Sequence, residues 1–267
     1  MFYNLIKETN INEYLKAPIL DGIELLNAQN CTINFPLHKH ETYNISLITK
    51  NNFHTDLIDR SFVASVGSIA ITNPNELHAT PCDSEIGNSF ITFYVPPTLI
   101  KHLVGTNNIK LKKRVIYDKK LFSDFLWLSK KQHLLDVRFE IFFFNSLSVL
   151  LTKSGLNKND NRFDDSLRLF LKELIVNEEN FSLTAIASKY GINKYKFIRL
   201  FKQETGLTPK QFVILKRIDK SKSLLRCGRP IFDVAIDCGF YDNAHFYKYF
   251  KQYTGVNPLE FQSTFVS

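Results

Sequence analysis

Two histidines in the N-terminal part of the chain have the type and spacing of a binding site. His38 and His40 are two residues apart, so their side chains share a face if this segment is a β-strand. Imidazole rings donate and accept hydrogen bonds near neutral pH, and they also bind metal ions. The pair is therefore a candidate site for a polar or anionic small molecule, with a metal ion as the alternative.

The positive charge of the chain is concentrated in its C-terminal part. Residues 182–251 contain fourteen Lys or Arg and five Asp or Glu, a net charge of +9, whereas the whole 267-residue chain has +8. The remainder of the chain therefore has a net charge of −1. A compact block that holds all of the excess positive charge favours binding to the phosphate backbone of nucleic acid.

The same block contains an internal repeat. Four residues align with similar residues 48 positions later, and eight align with identical residues 49 positions later. The first group is Leu183, Ile186, Ala187 and Gly191, and the second is Phe197, Phe201, Lys202, Gln203, Thr205, Gly206, Pro209 and Phe212. The repeat predicts two copies of one structural unit.

Helical spacing of the apolar residues predicts two helices around a tight turn in each copy. The predicted helix-start residues are Ser182, Asn193 and Asp242, the turn glycines are Gly191 and Gly239, and the closing glycines are Gly206 and Gly255. A helix over residues 210–226 would join the two copies. The second helix of each copy leaves an outer face of polar and basic residues, namely Lys194, Tyr195, Ile198, Arg199 and Lys202, then Asn243, Ala244, Tyr247, Lys248 and Lys251.

Residues 182–261 resemble the double helix-turn-helix domain of the AraC/XylS family of bacterial transcription regulators. The resemblance rests on Ala187-x3-Gly191, Phe197-x-Arg199-x-Phe201-Lys202, Thr205-Gly206-x-x-Pro209, Arg217-Ile218, Ile231-x-x-Val234-Ala235-x3-Gly239-Phe240, Phe246-x-Lys248-x-Phe250-Lys251 and Thr254-Gly255-x-x-Pro258-x-x-Phe261. It implies that two helices enter adjacent major-groove segments on one face of promoter DNA. The family often has Arg where this chain has Lys248, and Lys lacks the fork that binds guanine through two hydrogen bonds.

The resemblance assigns the outer-face residues to DNA. Tyr195, Ile198 and Arg199 would read one segment, and Asn243, Ala244, Tyr247 and Lys248 would read the other. Lys194, Lys202 and Lys251 complete the predicted DNA-binding set, with Lys202 on phosphate.

Short alternating strands are predicted from about Ile19 to Pro96, with Tyr43, Ile45 and Leu47 on one face. His38-x-His40 and Gly67-x6-Pro74-x3-His78 resemble the two half-motifs of a cupin, which would bring His78 close to the first two histidines. The expected fold class is α+β with two domains: an N-terminal cupin-like jelly-roll β-barrel with packing helices, and a C-terminal all-α double helix-turn-helix.

A metal ion is not expected in this barrel. Metal-binding cupins have Glu four residues after the second histidine, and this chain has Asn44 there, a poor metal ligand. We therefore expect His38, His40 and His78 to bind an effector, with no metal and no other cofactor, and the protein to purify without stoichiometric metal. The alternative is that the three histidines still hold zinc or iron.

Two further apolar patterns predict helices over residues 119–131 and 135–151, which would pack on the barrel or mediate a homodimer. Residues 156–165 are polar and rich in Asn and Asp, which indicates a linker. The predicted domains are therefore residues 1–155 for sensing or dimerisation, a linker at 156–165, and residues 166–267 for DNA binding, opening with a helix over 166–176.

The predicted location is the cytoplasm. The N-terminal sequence lacks the pattern of a signal peptide, the apolar runs are too short to span a membrane, and four scattered cysteines have no C-x-x-C spacing.

The sequence thus predicts a transcription regulator and no enzyme. Its partners would be promoter DNA, a small effector and RNA polymerase, while activation and repression stay undecided. Two alternatives remain open: a cupin-type metalloenzyme tethered to a DNA-binding module, and a barrel used only for docking or dimerisation.

Overall fold

A computed structural model of the chain describes residues 11–16, 23–104, 109–131, 137–158 and 194–266. The chain divides into two compact units, residues 1–159 together with 250–267, and residues 160–249. The domain boundaries predicted from the sequence stay a prediction. Among the described residues, no helix has the length and apolar character needed to cross a membrane.

The first unit is built mainly from antiparallel strands. In chain order, the elements of its N-terminal segment are β1 (Ile11–Lys16), β2 (Glu24–Cys31), β3 (Phe35–His38), β4 (Tyr43–Lys50), β5 (Phe53–Leu57), β6 (Ser61–Ala64), β7 (Ile69–Thr72), β8 (His78–Thr80), β9 (Asn88–Val95), α1 (Pro97–Val104), β10 (Ile109–Leu111), β11 (Val115–Ile116), α2 (Lys119–Lys130), α3 (Val137–Ser154) and β12 (Leu156–Lys158). Tight turns lie at Asn51, Gly67 and Asn75, which have positive φ angles.

The strands form two main sheets, and the expected closed barrel is wrong. The larger sheet has the order β1-β2-β9-β4-β7-β11, and the smaller has the order β3-β8-β5-β6. Among the described strands, no hydrogen-bonded ladder joins an edge of one sheet to an edge of the other. The cupin-like class of the unit is nevertheless correct, since strands and packing helices are arranged as the sequence predicted.

Strand β4 separates an apolar core from a polar cavity. Tyr43, Ile45 and Leu47 are fully buried in the cluster that includes α2 and α3. The residues between them, Asn44 and Ser46, are also buried but line a cavity on the other face. Because side chains alternate along a strand, the same strand contributes apolar side chains to the core and polar side chains to the cavity.

The two predicted helices of this unit are confirmed, with α3 three residues longer at its C-terminal end than expected. Asp118 begins α2 by accepting a hydrogen bond from the backbone N–H of Leu121 at 2.9 Å, and its carboxylate pairs with Lys153 of α3 at 2.8 Å. Leu156–Lys158, predicted to belong to the linker, instead forms β12 and pairs with β10. The rest of the predicted linker lies outside the described residues.

The C-terminal part of the chain is helical. Its elements are α4 (Lys194–Thr205), α5 (Pro209–Arg226), α6 (Ile231–Asp237), α7 (Asn243–Thr254) and α8 (Pro258–Ser263). The predicted helix 210–226 is confirmed as α5, which begins at a capping box formed by Thr208 and Gln211. The predicted helix 166–176, the first helix of the first copy and its turn at Gly191 lie outside the described residues, as do the predicted caps Ser182 and Asn193.

Candidate nucleic-acid interface and histidine cluster

Helix α4 has an exposed face and a buried face. Tyr195, Ile198, Arg199 and Lys202 follow the i, i+3, i+4, i+7 spacing of a single helical stripe. Tyr195 is 81% exposed, Arg199 and Lys202 are exposed, and Ile198 is half-buried. Lys194 is exposed at the first turn of α4. The stripe therefore offers a binding partner two cationic side chains beside an aromatic and an aliphatic side chain.

The opposite face of α4 packs inward through Phe201, which is buried, with its ring centroid 5.5 Å from that of Phe212 on α5. Gly206 ends the helix with a φ of 73°, a conformation that favours glycine. The aromatic contact therefore fixes which side of α4 faces outward.

Helix α7 repeats this stripe 49 residues later. Ala244, Lys248 and Lys251 are exposed and Tyr247 is half-buried, at the positions equivalent to Tyr195, Arg199, Lys202 and Ile198. Asn243 is exposed at the start of the helix. Phe246 and Phe250 are fully buried on the other side. No Asp or Glu occurs in Asn243–Thr254, so the face of α7 is positively charged.

The turn before α7 has a fixed geometry. Gly239 has a φ of 72°, and a Cβ atom added there would lie 3.2 Å from a guanidinium nitrogen of Arg217. Asp242 accepts a hydrogen bond from the backbone N–H of His245 at 2.6 Å, which confirms the predicted cap. Val234 and Ala235 of α6 are buried. The turn therefore sets the direction in which α7 leaves α6.

One exposed residue at this surface was missed by the sequence analysis. Tyr241 lies in the turn between α6 and α7 and is 92% exposed, the largest exposed fraction among the described large hydrophobic residues. The signal available in the sequence was an aromatic residue next to the cap Asp242. An exposed tyrosine hydroxyl at the start of α7 is a further candidate for contact with a phosphate.

The three N-terminal histidines converge. His38 at the end of β3 is paired in register with His78 at the start of β8. The Nε2 atoms of His38 and His40 are 3.0 Å apart, and one ring nitrogen from each of the three residues lies within 4.8 Å of the others. His38 and His78 are each 4% exposed, and His40 is half-buried.

Hydrogen bonds with backbone groups position the three histidines. The Nδ1 atom of His38 is 2.6 Å from the carbonyl oxygen of Pro36, and that of His78 is 2.9 Å from the carbonyl oxygen of Glu76. His40 is anchored through its own carbonyl, which accepts a hydrogen bond from the Asn75 N–H at 2.7 Å.

The loop that carries these anchors is itself fixed by charge. The carboxylate of Glu76 forms an ion pair with the guanidinium group of Arg114 and accepts a hydrogen bond from the Asn73 N–H at 3.1 Å. Burial lowers the pKa of His78, which favours its neutral imidazole, although the nearby Glu76 acts in the opposite sense.

The cavity at the histidine cluster is small, and both polar and apolar side chains line it. Its volume is about 40 Å³, and its lining residues are Leu26, Phe35, His38, His40, Asn44, Ser46, Phe53, Thr72, His78, Thr80, Phe90, Thr92, Tyr94 and Tyr253. Sites for drug-sized molecules have volumes of roughly 300–1,000 Å³. The space at the histidines therefore suits an ion or a group of a few atoms.

A larger cleft of about 590 Å³ lies on the other side of the large sheet, near the end of α2. Its charged lining residues are Glu13, Lys50 and Lys130. No single sequence motif marks this cleft, because its residues come from five elements that are far apart in the chain, β1, β2, β4, β9 and α2.

Comparisons with known proteins agree with this architecture. Residues 186–264 match the family model of a helix-turn-helix domain. An uncharacterized HTH-type transcriptional regulator of Bacillus subtilis, YbfI, is 26% identical over 245 residues, which cover 84% of this chain and 85% of that protein. The HTH-type transcriptional activator RhaS of Escherichia fergusonii is 24% identical over 245 residues, covering 85% and 87%. The apo structure of a ToxT variant from Vibrio cholerae has the same fold, with a TM-score of 0.57 and 16% identity over 92% of this chain and 97% of that one.

Proposed function

Because the chain belongs to the AraC/XylS family of DNA-binding transcription regulators, we propose that it recognises promoter DNA through α4 and α7. The observation that carries the proposal is the repeated stripe on these helices, which is exposed, basic and offset by 49 residues. A helix of this width fits the major groove of DNA, and two such helices would read adjacent segments.

The proposed roles follow from side-chain chemistry. On α4, Tyr195, Ile198 and Arg199 contact bases, and Lys194 and Lys202 contact phosphates. A guanidinium group can form two hydrogen bonds with O6 and N7 of guanine, so Arg199 is the main source of base specificity on this helix.

On α7, the residues proposed to contact bases are Asn243, Ala244, Tyr247 and Lys248, with Lys251 on phosphate. Asn recognises adenine through two hydrogen bonds, and the methyl group of Ala packs against that of thymine. Lys248 occupies the position equivalent to Arg199 but offers a single ammonium group, so it discriminates less between bases.

The N-terminal residues are proposed to sense an effector at His38, His40 and His78. Three imidazole rings beside hydroxyl and amide groups support this role. The cavity volume of about 40 Å³ limits the effector, or the part of it that contacts the rings, to a few atoms. Effector binding would shift the equilibrium between conformations that differ in DNA affinity.

The proposed setting is the cytoplasm, with promoter DNA as target, a homodimer as the binding form and RNA polymerase as the partner for activation. RhaS is named as an activator. Relatives that match most of the chain are named as regulators, which favours this role over the alternative of a tethered metalloenzyme.

Capture of genomic fragments by the full-length protein, followed by sequencing and mobility-shift titration, tests the proposal. We expect enrichment of a small set of promoter fragments that bind at least a thousand-fold more tightly than random duplex. Equal affinity for captured and random fragments would contradict it.

A further inference from the structure

We propose that His38, His40 and His78 form a binding site for a divalent transition metal ion, with zinc as the reference ion. The metal site depends only on residues of the first unit and does not depend on DNA binding. Its further role, as the effector of the regulator, rests on the function proposed above.

The candidate ligand atoms of the three histidines converge. A tetrahedral zinc ion lies about 2.0–2.1 Å from each imidazole nitrogen, which places the nitrogens about 3.4 Å from one another. The His38 and His40 Nε2 atoms are already 3.0 Å apart, and the third nitrogen lies within 4.8 Å of both. Small rotations of the His78 side chain are enough to complete the set.

The rings of His38 and His78 are oriented by backbone carbonyl groups. A carbonyl oxygen only accepts hydrogen bonds, so the Nδ1 atoms of His38 and His78 each carry a proton at the contacts with Pro36 and Glu76. In a neutral ring this leaves the lone pair on Nε2, which for His38 is the atom that lies 3.0 Å from Nε2 of His40. Metal-binding histidines are typically oriented by this kind of contact on the opposite ring nitrogen.

The size and lining of the cavity suit an ion. About 40 Å³ accommodates an ion with one or two further ligand atoms, and it is too small for a drug-sized metabolite. Asn44 lines the cavity with a neutral amide, so three histidines would hold the ion and a fourth position would take water or a small anion. The absence of a carboxylate at residue 44, which led the sequence analysis to expect no metal, therefore does not prevent a three-histidine site.

Titration of the full-length protein with zinc and cobalt, after treatment with a chelator and removal of that chelator, tests the site. We expect one ion per chain and an intense visible absorption of bound cobalt, as tetrahedral coordination produces, without a thiolate-to-cobalt charge-transfer band. The His40→Gln variant, changed at the half-buried member, should bind zinc at least tenfold more weakly. His54→Gln is the matched control, because His54 lies on β5 and pairs with Asp83 at 3.2 Å, outside the cluster.

Either of two titration results would overturn the metal site: a wild-type protein that does not bind one ion per chain, or equal zinc affinity in wild type and His40→Gln. If His40→Gln fails to fold, the same comparison is made with His78→Gln. A charge-transfer band would assign the ion to cysteine and would also overturn the proposal.

The role of the ion as effector is tested on the same preparations by mobility shift. We expect the DNA affinity of the zinc-loaded protein to differ at least fivefold from that of the metal-free protein, as in typical allosteric coupling. Unchanged affinity with one bound ion would overturn the effector role alone. Loss of DNA binding in both forms would instead count against the proposed function and leave the metal titration valid.

Discussion

At the residue scale, one pair of equivalent positions on α4 and α7, Arg199 and Lys248, differs in the number of hydrogen bonds that the side chain can offer to a base. Both side chains are exposed on the same stripe. Because only the guanidinium group forms a two-bond fork with guanine, α4 should contribute more base discrimination than α7 at this position.

The Arg199→Ala variant should lose roughly 1–3 kcal/mol of specific binding and accept other bases at one position of the site. Competition mobility shifts with single-base variants of a captured fragment measure both effects. Lys202→Ala is the matched control one turn along the same stripe, and it should weaken all sequences alike. An equal loss on every sequence for Arg199→Ala would mean that this residue contacts phosphate.

At the element scale, the start of α2 depends on a carboxylate with two functions. Asp118 caps the helix at Leu121 and pairs with Lys153 at the end of α3. Asp118→Ala should therefore destabilise the protein by about 1 kcal/mol, whereas Asp118→Asn, which keeps a capping oxygen, should cost only a few tenths. Thermal melting of the two variants separates capping from ion pairing, and equal losses would show that the cap contributes little.

The same contacts give this carboxylate a pH dependence. The Leu121 backbone N–H, followed by the side chain of Lys153, lowers the pKa of Asp118 below its ordinary value of 3.8. A carboxylate with a lowered folded-state pKa stabilises the protein above its ordinary pKa, and the effect is lost as the pH falls through the lowered pKa. The stability difference between wild type and Asp118→Ala should thus be full at neutral pH and shrink below about pH 4. A difference that stays constant into acid would contradict this origin.

The turn between α6 and α7 is the second element-scale test. Gly239→Ala should destabilise the protein by about 1–2 kcal/mol, since φ is positive and the new methyl group would press on Arg217. Gly67→Ala is the matched control, because it has a positive φ but open space around the added methyl group. If the two variants lose equal stability, contact with Arg217 has no effect.

Helices with local signals were predictable from the sequence, and properties of assembled elements were not. Asp242 marks the start of α7, and the alternation through Tyr43 and Leu47 marks β4, because capping and alternation depend only on near neighbours. The strand at 156–158 was missed because its pairing with β10 is a long-range contact. Spacing likewise placed His38 and His40 on one side, but it carried no information about cavity volume or sheet closure.

At the scale of the whole molecule, excess positive charge within residues 182–251 should make DNA binding strongly dependent on salt. About six phosphate contacts predict a slope on the order of −5 in a plot of log affinity against log salt concentration. The double variant Lys202→Ala/Lys251→Ala, which changes equivalent positions of the two stripes, should reduce the slope by about 2. Mobility-shift titrations of the full chain at several salt concentrations measure this, and an unchanged slope would remove both lysines from the phosphate contacts.

Methylation interference on a captured promoter fragment shows whether α4 and α7 read two adjacent segments on one face of the DNA, as proposed. We expect major-groove interference at two segments centred about 10–10.5 base pairs apart, roughly one helical turn. Arg199→Ala should weaken the pattern at one segment and Lys248→Ala at the other. Interference at a single segment, or the same change for both variants, would contradict the account.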